Sequence, residues 1–462
     1  MAKNMGRCIF AIVLLFVTGC TAHFPVNPPL ERYQPNHGYR LKNLSVSGNS
    51  EELLFIVAFS GGGTRSSALA YGVLEQLAAT TVTINGRQRR LLDEVDVISG
   101  VSGGGFTAAY YGLYGDRIFE DFEQRFLNRN IDKGLTAQLF SPVNWARLVS
   151  ASFSRSDLAA RYLDKHVFDG KTFADIAARK GPAIIINATD MSLGTQFAFL
   201  QSQFDFICSD VAKFSVARAL TASSAIPVAF TPITLRNYAG TCAFRPPHWF
   251  LEALNAGDRA GRRFELAERL FTYLDSGDRA YVHLVDGGLS DYLGVRGSID
   301  RVMLFDDAVE AMHLDGSQGP RKLLFIVVNA ESVPHHRWDR QLRAPKLNQV
   351  LTSTTSLAIS RSNFETMELL KQMLEQWRDQ MREQCSQPPA AHIRSDTKCT
   401  DVATYLVEVN FDRVADERER AYLRDLERGF KLPAGAVERL RQAGQTVLSE
   451  SAVYQRFLSD LR

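Results

Sequence analysis

Residues 53–63 read Leu-Leu-Phe-Ile-Val-Ala-Phe-Ser-Gly-Gly-Gly, and this stretch decides the fold. Its first seven residues are all apolar, which is typical of a strand buried on both faces of a parallel sheet. The glycines end that strand, and apolar residues then recur at helical spacing from Ala68 to Ala78. The stretch therefore predicts a strand, a glycine loop and a helix, in that order.

A second unit of the same kind follows about forty residues later. Residues 95–99 predict a short strand, residues 100–104 a turn, and residues 106–113 a helix rich in small side chains. Further buried strands are predicted at 183–187, 282–285 and 323–328. Because these strands alternate with helical or loop sequence, we expect an α/β fold, a three-layer α/β/α sandwich with a mostly parallel central sheet.

The remaining sequence predicts helices around this sheet. An insertion at about 116–180 is expected to be mainly helical, and its aromatic residues suit a lid or a lipid-facing surface, although ordinary packing explains them equally well. The aromatic residues concerned are Phe140, Trp145 and Phe153. Residues 347–381 predict one long amphipathic helix, followed by a strand at 404–411 and two closing helices. We expect a catalytic domain at 51–335 and a mainly helical extension at 336–462 packed against it.

The N-terminus carries the features of an export signal. Lys3 and Arg7 precede an apolar run too short to span a bilayer, and the run ends in Val17-Thr18-Gly19-Cys20, which matches the bacterial lipobox. We predict a signal peptide at 1–19, lipidation of Cys20, and a tether at 20–50 rich in proline and glycine. An ordinary signal peptide or an uncleaved anchor is the alternative. The expected location is the bacterial cell envelope, on the outer membrane facing the periplasm or the exterior.

Composition and charge exclude several classes of protein. The chain has 462 residues, of which 45% are hydrophobic and 23% charged, so neither disorder nor a membrane bundle is expected. Cleavage after residue 19 would leave 51 basic residues against 51 acidic ones, a balance that gives no sign of nucleic-acid binding.

Four cysteines remain after the N-terminal region, namely Cys208, Cys242, Cys385 and Cys399. In an oxidising compartment they are expected to form two disulfides, each worth about 3 kcal/mol. Three pairings are possible, and the pairing of sequence neighbours, Cys208 with Cys242 and Cys385 with Cys399, closes the shortest loops. No pair has the Cys-x-x-Cys spacing of a metal site.

The turn at 100–104 reads Gly-Val-Ser-Gly-Gly and places Ser102 between a predicted strand and a helix. A sharp turn there lifts a serine hydroxyl above the sheet, and the N-terminus of the helix favours the negative charge that acyl transfer generates. The glycines Gly61, Gly62, Gly63 and Gly103 offer N–H groups for the oxyanion. A phosphate-binding loop is the alternative for 61–65, but the Gly-x-x-x-x-Gly-Lys-Ser/Thr pattern is absent.

The third chemical element is Asp286, which follows the predicted strand at 282–285 and precedes Gly287 and Gly288. A carboxylate at the carboxyl end of the sheet can accept the Ser102 proton and return it to the leaving group. Taken alone, an aspartate here is as well explained as the cap of a tight turn. A Ser-His-Asp triad is the rival arrangement, but His283 lies three residues away on the same strand and should face the other side. His335 and His336 stay open as candidates.

Together these segments resemble the patatin-like phospholipase family, which is related to the catalytic domain of cytosolic phospholipase A2. The resemblance rests on Gly-Gly-Gly-Thr-Arg at 61–65, Gly-Val-Ser-Gly-Gly at 100–104, Asp-Gly-Gly at 286–288, and Ala-Ser-Ser-Ala-Ile-Pro at 222–227. It implies a Ser102–Asp286 dyad, an oxyanion hole in the glycine loop, and lipid acyl hydrolysis without metal or cofactor. Tyr292 and Gly294 stand where plant patatins have an asparagine and a proline, a departure that bears on substrate choice rather than on the dyad.

The resemblance also draws attention to Arg65, which could steady the active-site loop or bind a substrate phosphate, a surface ion pair being the alternative. The expected function is a phospholipase A or lipid esterase that forms an acyl-enzyme, with a phospholipid or other acyl lipid as substrate. Acyl transfer to an alcohol and thioester cleavage remain open for the same site. A lipoprotein scaffold with vestigial motifs is the non-enzymatic alternative.

Overall fold

A computed structural model of the protein describes residues 27–44, 48–141, 144, 147–148, 153–226, 230–257, 259–304, 321–332, 338–340, 342, 344–386 and 402–461. The strands are β1 Leu53–Phe59, β2 Thr81–Ile84, β3 Arg87–Arg90, β4 Val97–Val101, β5 Ala183–Asp190, β6 Thr195–Ala198, β7 Ile233–Arg236, β8 Tyr281–Val285, β9 Lys322–Asn329 and β10 Ala403–Asn410. The helices are α1 Gly63–Ala79, α2 Ser102–Tyr114, α3 Ile118–Phe122, α4 Ile131–Leu139, α5 Arg155–Leu163, α6 Phe173–Ala178, α7 Gln201–Phe204, α8 Val216–Ser223, α9 His248–Asn255, α10 Arg262–Phe271, α11 Gly288–Asp291, α12 Arg296–Leu304, α13 Leu347–Ser386, α14 Glu417–Asp425, α15 Ala436–Ser449 and α16 Ala452–Asp460.

The central sheet has the strand order β10-β9-β1-β4-β5-β8-β7, with β6 paired to β5. The strands from β10 to β5 run parallel, whereas β6, β7 and β8 pair antiparallel at the other side. The predicted α/β class and the mostly parallel sheet are therefore confirmed.

Helices cover both faces of the sheet. On β1, Phe55, Val57 and Phe59 face one apolar layer, which also contains residues of α1, α2 and α15. Ala58 faces the opposite layer, to which α13 contributes Met367, Leu370, Met373, Leu374 and Trp377. This alternation along a strand produces the three predicted layers, and the long predicted helix is confirmed as α13.

The C-terminal extension predicted at 336–462 packs against the catalytic domain and also completes its sheet. β10 pairs parallel with β9 over its whole length, so the extension supplies an edge strand of the same sheet. Three helices, not two, then close the chain. One of them, α15, packs on α1 so tightly that a side chain at Gly72 would meet the Arg441 carbonyl oxygen at 2.1 Å. Arg441 also forms an ion pair with Glu75 at 2.6 Å.

The predicted tether at 20–50 is also wrong in part, because residues 27–44 pack on the folded body. Asn27 is buried and its amide bonds the Ser209 hydroxyl at 2.9 Å. Arg40 forms a buried ion pair with Asp205 at 2.6 Å. A disulfide joins Cys208 to Cys242, whose Cα atoms lie 5.6 Å apart, and confirms that predicted pair. This disulfide lies under the same N-terminal segment, since the N–H of Leu30 donates to the Cys208 carbonyl.

The insertion at 116–180 is mainly helical, as predicted. Its aromatic residues behave differently from one another: Phe140 is 72% exposed, whereas Phe153 is buried beneath the guanidinium of Arg161. Phe122 and Phe126 stack together in the main core, so ordinary packing accounts for most of this segment. Trp145, Cys20, Cys399 and the Cys385 side chain lie outside the described residues. Within the described ranges, no helix combines the length and apolar character needed to cross a membrane.

Candidate active site

Ser102 stands at the junction of β4 and α2. Its φ of +47° lies in the left-handed region, which side chains other than glycine seldom adopt, and its side chain is almost buried. The Ser102 N–H donates to the Ser223 hydroxyl at 2.7 Å, a contact that holds this strained turn. The strand, sharp turn and helix predicted around Ser102 are thus confirmed.

Asp286 approaches Ser102 from the other side of β5. Val101 pairs with Asn187 in the parallel ladder, and Val285 pairs with Thr189 in the antiparallel one. Ser102 follows Val101 and Asp286 follows Val285, so both residues lie beside Ala188 of β5, on opposite sides of that strand. The two loops therefore meet across one strand. The prediction that Asp286 follows a strand into the site holds, but β8 runs opposite to β4 and β5 rather than alongside them.

The environment of the Asp286 carboxyl favours a proton acceptor. One oxygen accepts the Gly288 N–H at 2.8 Å, and the Asp286 N–H donates to the Ala225 carbonyl at 3.1 Å. Burial raises the pKa of this carboxyl to about 6, opposed by the Gly288 N–H, the Ser102 hydroxyl and the charge of Arg428. A pKa near 6 makes the carboxylate a stronger base than an exposed aspartate while leaving it ionised at neutral pH.

Ser223 links the loops that carry Ser102 and Asp286, a role that the sequence did not predict. Its hydroxyl accepts the Ser102 N–H and donates to the Asn187 carbonyl at 2.6 Å, while its own carbonyl accepts the Gly287 N–H at 3.0 Å. One residue thereby fixes the turns on both sides of β5. Two signals in the sequence mark this segment, the family resemblance at 222–227 and the run of small residues where α8 ends, and neither identifies a partner for Ser223.

The glycine loop lies directly beside Ser102, but Gly61 does not offer the oxyanion donor that we predicted. Its N–H donates to the Tyr292 carbonyl at 2.9 Å and is therefore occupied. The N–H groups of Gly62, Gly63 and Gly103 donate to no acceptor among the described residues. A Cβ at Gly103 would lie 2.0 Å from the Gly63 carbonyl oxygen, so the two candidate donor segments are in direct backbone contact.

Arg65 is a structural residue, and its predicted contact with a substrate phosphate does not fit its position. The side chain is 1% exposed, and its two terminal nitrogens donate to the carbonyls of Leu426 at 2.6 Å and Ala330 at 2.7 Å. The guanidinium also lies over the Phe411 ring. The alternative of a surface ion pair is excluded by the same burial, and the role that remains is to steady the glycine loop from behind.

His283 is exposed on β8, and its Nδ1 lies 3.0 Å from the Thr234 hydroxyl on the neighbouring strand β7. Its side chain therefore faces away from Asp286, as predicted. His335 and His336 lie outside the described residues. Besides burial, the groups that shift the pKa of Asp286 are Gly288, Ser102 and Arg428. No histidine among the described residues contributes to this shift.

Comparison with known proteins adds a family to this geometry. A family model described as patatin-like phospholipase matches residues 57–297, just over half of the chain. The matched residues include the glycine loop, Ser102 and Asp286. No curated protein matches the chain.

Several solved structures are similar in fold. Human GIVD cytosolic phospholipase A2 is 13% identical, with a TM-score of 0.46, over 91% of this chain and 64% of that one. The same human enzyme in complex with methyl gamma-linolenyl fluorophosphonate gives 13% identity and a TM-score of 0.40, over 89% and 59% of the two chains. VipD from Legionella pneumophila gives 10% identity and a TM-score of 0.31, over 96% and 72%. The chain thus spans less than two thirds of the human enzyme.

Proposed function

The chain belongs to the patatin-like phospholipase family, and from that premise we propose that it is a serine acyl hydrolase that cleaves fatty acyl esters of phospholipids. The observation that carries the proposal is the meeting of the strained Ser102 turn with the Asp286 carboxyl across β5. A serine at such a turn and a carboxylate raised in pKa are the two groups that a catalytic dyad needs.

In the proposed reaction, the Ser102 oxygen attacks the acyl carbonyl while its proton passes to Asp286. The N–H groups of Gly62, Gly63 and Gly103 then bind the oxyanion, and the support for this role is that they donate to no acceptor among the described residues. Asp286 then returns the proton to the departing alcohol, which leaves an acyl ester on Ser102. Water attacks this ester with Asp286 again acting as base, and the fatty acid is released.

We expect a fluorophosphonate probe to label Ser102 covalently in the detergent-dispersed wild-type protein, because such probes react with activated serines. Peptide mass mapping locates the label, and Ser102→Ala is the control that should remain unlabelled. Fatty acid release from phospholipid then measures hydrolysis, and added alcohols or thioesters reveal transfer or thioester cleavage. Absence of labelling in folded protein would favour the scaffold function instead.

We further propose that the protein is a lipoprotein of the bacterial cell envelope, anchored through Cys20. The support is the sequence order of Lys3 and Arg7, a short apolar run and the lipobox. Anchoring would raise the local concentration of lipid substrate without tight binding by the catalytic domain. Metabolic labelling with an alkyne fatty acid should mark the wild type and not Cys20→Ser, and equal labelling of both would overturn the proposal.

A further inference from the structure

The loop at 426–432, here called the C-terminal loop, lies against the glycine loop although it is far outside the matched family region. The Leu426 carbonyl accepts a hydrogen bond from Arg65, and the Gly429 carbonyl accepts the Thr64 N–H at 2.9 Å. A Cβ at Gly63 would meet the Gly429 carbonyl oxygen at 2.4 Å, so the two loops are in backbone contact. The C-terminal loop is therefore part of the wall of the site.

Arg428 is the residue of this loop that lies beside Tyr292, and its charge acts on the Asp286 carboxyl. Its guanidinium carbon lies 5.7 Å from the centre of the Tyr292 ring, and one terminal nitrogen donates to the Ser332 carbonyl at 2.5 Å. The Tyr292 ring in turn contacts both Gly61 and Gly288, at 3.0 Å from the Cβ position of each. Arg428 thus stands beside the glycine loop and the Asp286 loop at once.

The donors of Arg428 are not fully used. The side chain is partly exposed, and the Ser332 carbonyl is its one hydrogen-bond acceptor among the described residues. Glu331 lies in the same corner. Asn363 donates to one of its carboxylate oxygens at 2.6 Å, the other oxygen accepts no hydrogen bond, and no ion pair between Glu331 and Arg428 is found among the described residues. Arg65 cannot serve as a second cation for a ligand, because it is buried with both terminal nitrogens occupied.

The nearness of Arg428 to Asp286 indicates which part of the substrate the guanidinium would meet. Because Asp286 returns the proton to the departing alcohol, its neighbourhood is the side of the site that receives the leaving group. In a glycerophospholipid, the leaving group carries the phosphate. A planar guanidinium with free donors matches a phosphate and binds it through charge-assisted hydrogen bonds.

We propose that Arg428 binds the phosphate of the phospholipid leaving group and so sets a preference for phospholipids over neutral acyl esters. The effect on hydrolysis in this inference rests on the proposed function, whereas the binding of phosphate by Arg428 does not. It assigns a specificity role to the C-terminal extension, which the matched family region does not include.

The test compares two substrates that differ only in the phosphate headgroup, dioleoylphosphatidylcholine and dioleoylglycerol, in neutral mixed micelles at pH 8. That pH lies well above the Asp286 pKa of about 6, and the dioleoylglycerol rate reports any effect of the lost Arg428 charge on Asp286 itself. We expect Arg428→Gln to lower kcat/KM for the phospholipid about 10- to 100-fold. For dioleoylglycerol we expect a change of less than about threefold, and Arg428→Lys should recover part of the phospholipid activity.

Lys431→Gln is the matched control, since it removes a cation from the same loop at an exposed position beside Asp132. It should leave both rates unchanged. Equal losses on both substrates in Arg428→Gln would show that Arg428 only positions the dyad, and no loss on either would also overturn the headgroup role. Wild-type hydrolysis of dioleoylglycerol but not of phospholipid would overturn it too, and the serine acyl hydrolase reaction would then stand with a neutral ester as its substrate.

A binding measurement separates this inference from catalysis altogether. In the Ser102→Ala background, Arg428→Gln should weaken binding of monomeric dihexanoylphosphatidylcholine about tenfold and leave dihexanoylglycerol unaffected. If the wild type hydrolyses neither lipid but this difference in binding is found, the phosphate site stands and the hydrolase proposal falls. Equal binding by the two proteins overturns the phosphate site whatever the activity.

Discussion

Replacing Asp286 by asparagine is expected to lower kcat/KM for acyl ester hydrolysis about 10³-fold and yet to stabilise the folded protein at pH 8. Asparagine keeps an oxygen for the Gly288 N–H, which Asp286 accepts at 2.8 Å, but it cannot take the Ser102 proton. Hydrolysis of a soluble ester measures the first effect, with Ser102→Ala as the reference for complete loss. In the wild type, kcat/KM should rise with pH through about 6, where Asp286 ionises.

The effect on stability follows from the same pKa. Burial raises the pKa of Asp286 from 3.8 to about 6, so the folded state holds this proton more tightly than the unfolded chain does. The stabilisation from protonation is complete below about pH 4 and is lost as pH rises through 6. At pH 8 the wild type therefore bears the cost of a charge that is partly removed from water. We expect Asp286→Asn to gain about 1–2 kcal/mol in urea unfolding at pH 8 and close to none at pH 4.

Asp291 is the matched control, because burial also raises the pKa of its carboxyl to about 6. Its two oxygens accept the N–H groups of Gly294, Val295 and Arg296, so both oxygens are needed to hold the turn before α12. Asp291→Asn should therefore lose stability where Asp286→Asn gains it. An active Asp286→Asn enzyme would remove Asp286 from the dyad, and a variant destabilised at pH 8 would identify this carboxylate as a turn cap instead.

Features that depend on neighbouring residues could be predicted from the sequence. The strand at 53–59 has the bounds that its apolar run predicted, and the helix predicted at 106–113 is present as α2, although it already begins at Ser102. Both follow from local periodicity and local backbone demands, which a single sequence displays directly. Asp286 at the end of β8 belongs to the same class.

Features that depend on the partner of a strand or loop could not be predicted. An apolar run shows that a strand is buried but not its direction, so the antiparallel β8 was outside what the sequence displays. The three N–H groups of the glycine run look alike in the sequence. The Gly61 N–H is occupied because it donates to the carbonyl of Tyr292, over two hundred residues away along the chain. The contact between Arg65 and Leu426 spans 361 residues, which no spacing pattern reports.

Gly103→Ala is expected to lower kcat/KM about 10²- to 10³-fold, the loss typical of a damaged oxyanion hole. The added Cβ would lie 2.0 Å from the carbonyl oxygen of Gly63 and 2.6 Å from its nitrogen. Because both contacts are with backbone, the glycine loop must move away from Ser102, and the N–H groups of Gly63 and Gly103 can no longer converge. We also expect a loss of stability of about 1–3 kcal/mol from the strain.

Gly257→Ala is the control for this substitution, because a Cβ at Gly257 meets no atom within 4 Å and its φ is not positive. It should leave activity and unfolding unchanged. The rate of Ser102 labelling by a fluorophosphonate, measured on the folded fraction alone, separates lost alignment from lost fold, and it should fall with kcat/KM in Gly103→Ala. A variant that unfolds more easily but labels and hydrolyses at the wild-type rate would show that the contact between the two loops serves packing only, and the oxyanion would then need other donors.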